Sequence, residues 1–193
     1  VFFPFLAGVF PGCKAMKRKS SSIEREEESI CGFIDMDCFY WAVEVSHNPS
    51  LRGKPGAVVQ YNPYEKGGVK SLDADNPQRL QARDGSIIAV SYEARARGVK
   101  RNMRGVQAKK ICPEIVLVQV PTEHGKANLE IYKAAGQRVV DVLKRRASAC
   151  EKRSVDEVAI DITAEADRLL KTRSFTDDLV LCARAVTKLA DSV

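Results

Sequence analysis

The sequence predicts a fold in which strands and helices interleave, and three observations frame that reading. Short runs of β-branched and aromatic residues alternate with segments of helical periodicity, so strands and helices interleave along the chain. Two strand patterns carry carboxylates at one end. Ile30, Cys31, Phe33 and Ile34 lead into Asp35 and Asp37, and the pattern of Val155, Val158, Ile160 and Ile162 has Asp156 and Glu157 near its start. Between these two acidic features lies a stretch crowded with arginine and lysine.

Composition bounds the possibilities. A chain of 193 residues that is 45% hydrophobic can bury one sizeable core, or one domain with a small insert. Its formal net charge of +6 suits a polyanionic partner. Six cysteines (Cys13, Cys31, Cys38, Cys112, Cys150 and Cys182) are scattered without a C-x-x-C pair. That pattern reads as reduced thiols of an intracellular protein, with neither a disulfide framework nor a zinc site. His47 and His124 stand near no serine or cysteine that would make a triad, and are read as surface residues. The amino-terminal VFFPFLAGVFPGC is too short to span a bilayer and lacks the basic leader of a signal peptide, so no membrane role is expected. Residues 1–28 are expected outside the fold, as a disordered extension or an over-read start, with Met16 opening a more ordinary beginning. Lys17, Arg18 and Lys19 would serve as a nuclear import patch.

Taken in order, Ser29–Glu44 (SICGFIDMDCFYWAVE) reads as a buried strand that stops at Asp35 and turns into a helix, with Asp37 as N-cap. Two readings of the acids stand side by side. Either Asp35 ends the strand and Asp37 caps the helix, or the pair holds a hard cation beside the free amides of the helix start. Asn48–Gly56 is loop chemistry, and Ala57–Tyr61 is a short strand. The polar stretch from Asn62 to Ser86 is too long for an ordinary connection and reads as a functional loop or an insertion. Ile87–Ser91 is a strand and Tyr92–Arg97 a short helix ended by Gly98.

From Ala94 to Pro113 stand Arg95, Arg97, Lys100, Arg101, Arg104, Lys109 and Lys110, with no acid among them. With no opposite charge in the run, a phosphate-facing surface is a better reading than a solvated helix face. Glu114–Val120 is a strand, and Lys126–Ala147 carries Leu129, Ile131, Tyr132, Val139, Val140 and Leu143 at mostly helical spacing. Cys150–Thr163 (CEKRSVDEVAIDIT) follows as a β-hairpin whose adjacent acids repel unless a cation or basic groups lie close. A last helix is expected from Leu169 on, chiefly over Asp178–Leu189.

Six blocks in this order, FIDMDCFYWAVE, GKPGAVVQY, IIAVSYEARARGVKRNM, AKKICPE, VPTEHGKANLEIY and RSVDEVAIDIT, resemble the Y-family translesion DNA polymerases. The likeness runs from about Ile30 to Thr163 and is interrupted between Gly68 and Ile87. D-M-D and S-V-D-E are elements shared across that family, while AVVQY with IIAVSYEAR points to its eukaryotic eta type.

The resemblance implies a template-directed DNA polymerase that adds deoxynucleotides opposite damaged template bases by two-metal-ion nucleotidyl transfer. It implies that Asp35, Asp156 and Glu157 are the catalytic carboxylates and bind two Mg2+ ions, with Mn2+ as a substitute. The main-chain carbonyl of Met36 would be a further ligand. Such ions, roughly 3.5–4 Å apart, activate a primer hydroxyl and bridge the triphosphate, and oxygen donors suit magnesium. By the same resemblance Cys38, Phe39 and Tyr40 would hold the triphosphate through backbone amides, joined by Tyr92, Arg95 and Arg101. Tyr40 falls at the steric gate, the ring that collides with a ribose 2′-hydroxyl, and Gln60 and Met103 at the template-base pocket. Two positions depart from the pattern: Asn102 stands where eta enzymes usually have serine, and Arg104 where some have tryptophan.

The implied fold class is α+β, a polymerase palm of ferredoxin-like βαββαβ type, its last strand missing here, with a small fingers domain inserted after the first strand. Palm would take residues 29–38 and 112–193 and fingers 39–111, with 69–86 as a disordered surface loop inserted in the fingers. Thumb and little finger would be absent, leaving a truncated form with little activity alone and a sheet with an exposed edge. Expected partners are primer-template DNA, deoxynucleoside triphosphates and, through a region beyond this chain, a sliding clamp; the nucleus is the expected location. Two alternatives remain, a non-catalytic truncated product that binds nucleotide or a partner, and a palm-type nucleotidyl cyclase. The basic run Arg95–Lys110 counts against the cyclase.

Overall fold

The structure, a computed structural model, describes residues 5–9, 29–64, 70–82, 84–145 and 147–171. In chain order the elements are β1 Phe5–Val9, β2 Cys31–Met36, α1 Phe39–His47, β3 Gly56–Val59, β4 Ile87–Val90, α2 Tyr92–Ala96, α3 Gly105–Ile111, β5 Val116–Gln119, β6 Thr122–Glu123, β7 Lys126–Ala127, α4 Glu130–Leu143, β8 Ala149–Lys152, β9 Glu157–Asp161 and α5 Thr163–Lys171. Short 3-10 turns lie at Pro49–Leu51 and Pro77–Gln81. The chain divides into two compact units, one of residues 38–135 and one drawn from 4–37 and 136–193.

The unit that holds β2 is built on a four-stranded antiparallel sheet in the order β1-β2-β9-β8. Alternation along β2 buries Gly32, Ile34 and Met36 and leaves Asp35 exposed, the signature of a strand with one packed face. On β9 the run Val158–Asp161 is buried throughout. The buried Asp161 accepts hydrogen bonds from the Thr163 amide at 2.9 Å and its hydroxyl at 2.6 Å, which starts α5. Residues 5–9 correct the expectation that 1–28 lies outside the fold. They pair antiparallel along β2, from Phe5 opposite Met36 to Val9 opposite Gly32, and cover the edge expected to stay open. An apolar five-residue run can satisfy the unpaired backbone groups of a strand edge, wherever in the sequence it comes from. The remaining residues of that extension, and the helix expected over Asp178–Leu189, lie outside the described residues.

The other unit has a three-stranded sheet in the order β4-β3-β5, with β3 antiparallel to β4 and parallel to β5. Ala57, Val59, Ile87, Val90 and Leu117 from its strands pack with Ala94, Val99, Ala108, Cys112 and Ile115 into one core. Because β5 pairs with β3, residues 112–135 group with 38–111 and not with the following chain.

Three local expectations change, the simplest being that the last helix, expected from Leu169 on, already starts at Thr163. The long helix starts at Glu130 rather than Lys126: Lys126 and Ala127 pair with Glu123 and Thr122 across a turn in which His124 and Gly125 both have positive φ. Asn128 then accepts the Glu130 amide at 3.0 Å. The segment expected as a disordered loop is integrated instead. Leu72 and Thr122 exchange backbone hydrogen bonds at 2.9 and 3.0 Å, Asn76 caps the turn Pro77–Gln81, and Arg79 is buried.

Trp41 lies against Gly56, where an added Cβ would sit 1.9 Å from the indole. Gly56→Ala should therefore lower stability by about 1–3 kcal/mol, the usual range for overpacking a filled core. Denaturant unfolding measures it; an unchanged midpoint would mean the indole has somewhere else to go.

Candidate active site

The carboxylates are positioned by strand register. Cys31 faces Asp161, and counting along the ladder brings Asp35 opposite Glu157. Residues directly opposite in an antiparallel pair project to the same face, with Cβ atoms about 4.5–5.5 Å apart. One residue earlier, Asp156 closes the turn before β9, and its carbonyl accepts the Met36 amide at 3.0 Å. Asp35, Met36, Asp156 and Glu157 thus meet at one end of one ladder, although most of the chain lies between them. Asp35 is exposed, and Asp156 and Glu157 are half-buried. The carboxylates are not drawn into a closed cage: no cluster of three or more His, Cys, Asp or Glu suited to a metal ion is formed among the described residues.

Ser154 is a site residue that sequence reasoning missed. Its hydroxyl donates to Asp156 Oδ1 at 2.7 Å and accepts the Asp156 and Glu157 amides at 3.3 and 3.1 Å. The signal was present, since a serine two residues before an acid is a common seat for such a turn.

The expected triphosphate contacts belong to the other unit. The N-cap position of α1, expected at Asp37, falls on Cys38, which lies in the left-handed region, φ 53°, and makes no side-chain bond to the helix amides. Its thiol instead donates to the Val90 carbonyl at 2.9 Å. A left-handed non-glycine residue is held only by its surroundings. Phe39 is buried. Tyr40 is half-buried, its ring 4.5 Å from that of Tyr132, and Tyr132 is wholly buried. Tyr92 and Arg95 sit one turn apart on α2, with the guanidinium 5.4 Å from the phenol ring centre. Ser91 caps that helix by accepting the Ala94 amide and also takes the Gly56 amide, which fixes α2 to β3.

Gln60 and Met103 flank one strip of chain. The Gln60 amide donates to the Ser86 carbonyl, and the Ile87 amide donates to the Met103 carbonyl, both at 2.9 Å. Asn102 takes φ 70°, a conformation asparagine tolerates better than most residues. Arg101 is exposed beside it. The basic run proves less one-sided than its sequence implied, since acids from outside it supply partners. Asp84 pairs with Arg104, and Glu114 pairs with Arg97 at 3.0 Å. The Arg104 guanidinium holds the Asp84 carboxyl below the usual carboxylate range.

The model of the impB/mucB/samB family matches residues 34–192. This chain belongs to that family. Among its relatives, DNA polymerase eta of Arabidopsis thaliana is 46% identical over 147 residues, 76% of this chain and 19% of the relative. DNA polymerase eta of Drosophila melanogaster is 43% identical over 146 residues, 76% of this chain and 14% of that one. A solved Y-family DNA polymerase chimera superposes with a TM-score of 0.58 at 25% identity, over 83% of this chain and 39% of the chimera. The chain therefore spans less than a fifth of each of these curated relatives. The resemblance drawn from the six sequence blocks holds, and so does the mixed α and β fold it implied.

Within this family member the turn of Ser154 can be probed directly. Removing its hydroxyl by Ser154→Ala should speed hydrogen exchange at the Asp156 and Glu157 amides about fivefold, as for a bond near 1 kcal/mol. The β2–β9 amides should stay protected; equal exchange at 156 and 157 would show that the turn holds without the hydroxyl.

Proposed function

We propose that this chain is the metal- and nucleotide-binding portion of a template-directed DNA polymerase of the translesion type. The observation that carries the reading is the β2–β9 register, which sets Asp35 opposite Glu157 with Asp156 at the adjoining turn. Two carboxylates facing each other across strands repel, and a divalent cation between them would turn that repulsion into binding. The donors are all oxygens, which fits Mg2+ and, in its place, Mn2+. Asp35, Asp156, Glu157 and the Met36 carbonyl are the residues that would hold the ions. Bound there, two such ions would activate a primer 3′-hydroxyl and stabilise the departing pyrophosphate.

The rest is work for the chain's own groups. Amides at the start of α1, from Cys38 to Tyr40, would receive phosphate oxygens, with the helix dipole favouring that charge. Tyr92, Arg95 and Arg101 would take the remaining triphosphate contacts, and Gln60 and Met103 would line the template base. Tyr40 would be the sugar gate. The exposed lysines and arginines of the basic run would meet DNA phosphates, a sequence-independent and salt-sensitive attraction. Primer-template DNA and deoxynucleoside triphosphates are the proposed partners, with a sliding clamp reached through other parts of the whole protein, and the nucleus is the proposed location. Among the described residues no helix is long and apolar enough to cross a membrane.

Single-nucleotide primer extension at low salt tests the reading. The expected result is slow addition that follows the template base, weakens steeply with salt and drops below detection in Glu157→Gln. Addition that ignores the template, or that survives Glu157→Gln, would sink it. So would the absence of both addition and Mn2+-dependent binding of deoxynucleoside triphosphate.

A further inference from the structure

The segment between β3 and β4 that interrupts the family pattern sends one side chain inward. Arg79 is 3% exposed, and every branch of its guanidinium is used. Nε donates to the Gln119 carbonyl at 2.7 Å and Nη1 to the Ala74 carbonyl. Nη2 donates to Glu44 Oε1 and lies 3.4 Å from the Tyr132 hydroxyl. That hydroxyl donates to the same Glu44 oxygen. Glu44 is also 3% exposed, so its carboxylate is tolerated inside because Arg79 stands next to it. Burial, and next the charge of Glu44, push the Tyr132 phenol well above its ordinary pKa, so it stays a donor.

These contacts end at Tyr40. Tyr40 and Glu44 are four residues apart on α1 and share one face of it. The Tyr132 ring, anchored at its hydroxyl by Glu44, is the surface on which the Tyr40 ring rests at 4.5 Å and 46°. A ring rejects one extra hydroxyl only if it does not yield, so its support matters as much as its position.

We propose that Arg79 is a positioning residue for sugar selection: by neutralising Glu44 it keeps Tyr132 fixed, and Tyr132 keeps the Tyr40 ring in place. A segment outside the shared family pattern thereby sets how strictly ribonucleotides are refused. This inference rests on the reading of Tyr40 as the sugar gate.

The test uses the 193-residue chain, with Ca2+ as a non-reacting divalent ion and dATP and ATP titrated separately by calorimetry. The unsubstituted chain should bind dATP more tightly than ATP, and Tyr40→Ala should erase most of that preference. If the unsubstituted chain shows no preference, the gate reading fails, and this inference with it. With the preference present, Arg79→Met should reduce it by about three- to tenfold, in the lower part of the range found for residues coupled in one network, while dATP affinity changes little. Arg79→Lys, which keeps the charge but not the fork of contacts, should recover part of the preference.

Near-ultraviolet circular dichroism gives an independent reading of the Tyr40–Tyr132 pair, whose signal should weaken in Arg79→Met. Should that variant fail to fold, Glu44→Gln with Arg79→Met buries no charge and is read in its place. A folded variant of either kind with full sugar preference and an unaltered tyrosine signal would overturn the proposal.

Discussion

Pairing of β2 with β9 is the constraint from which the candidate active site follows. Side chains along a strand alternate with a period of two, so a slip of one residue would carry Asp35 or Glu157 to the opposite face. The register is held by burial and by backbone bonds at both ends. Ile34 and Val158, paired in the ladder, are both fully buried, as is Ile160. The Met36 amide reaches Asp156 at one end, and the Ile162 amide reaches Ile30 at the other. Apolar packing thus decides where two acids meet. Facing carboxylates on neighbouring strands call for compensating charge or hydrogen bonds close by.

The second unit arranges its functional residues differently, at the ends of elements and not along them. Cys38, Asn102 and Gly85 take positive φ where the chain leaves a strand, makes a turn or comes up against another segment. At Gly85 the reason is space as well as angle, since an added Cβ would lie 2.2 Å from the Gln60 carbonyl oxygen. These bends let Gln60, Ser86 and Met103 lie side by side, while Ser91 ties α2 and its Tyr92 and Arg95 to β3.

Integration of residues 70–82 and 84–86 shows how a polar segment can become part of a core. Leu72 is buried and shares backbone bonds with Thr122, and Asp84 takes Arg104 as partner. Arg79 reaches Glu44 where both are out of water. A buried ion pair adds little net stability compared with apolar residues of the same shape, yet losing one partner leaves a charge stranded. The pair therefore acts more as a specification of one arrangement than as a source of stability.

By itself the sequence determined that strands and helices alternate, that acids end one strand and begin another, and that six ordered blocks match one polymerase family. Those features are local: periodicity, turn chemistry and motif spacing are written in neighbouring residues. Tertiary structure decided what depends on which distant parts meet. It gave β2 a partner in Phe5–Val9, moved the start of α4 by pairing Lys126 and Ala127 in a hairpin, and set the N-cap position of α1 at Cys38 in place of Asp37. It found acids for Arg97 and Arg104 and took Arg79 inside. A polar run reads as solvated until a complementary charge or an open strand edge is brought to it, and only folding brings it there.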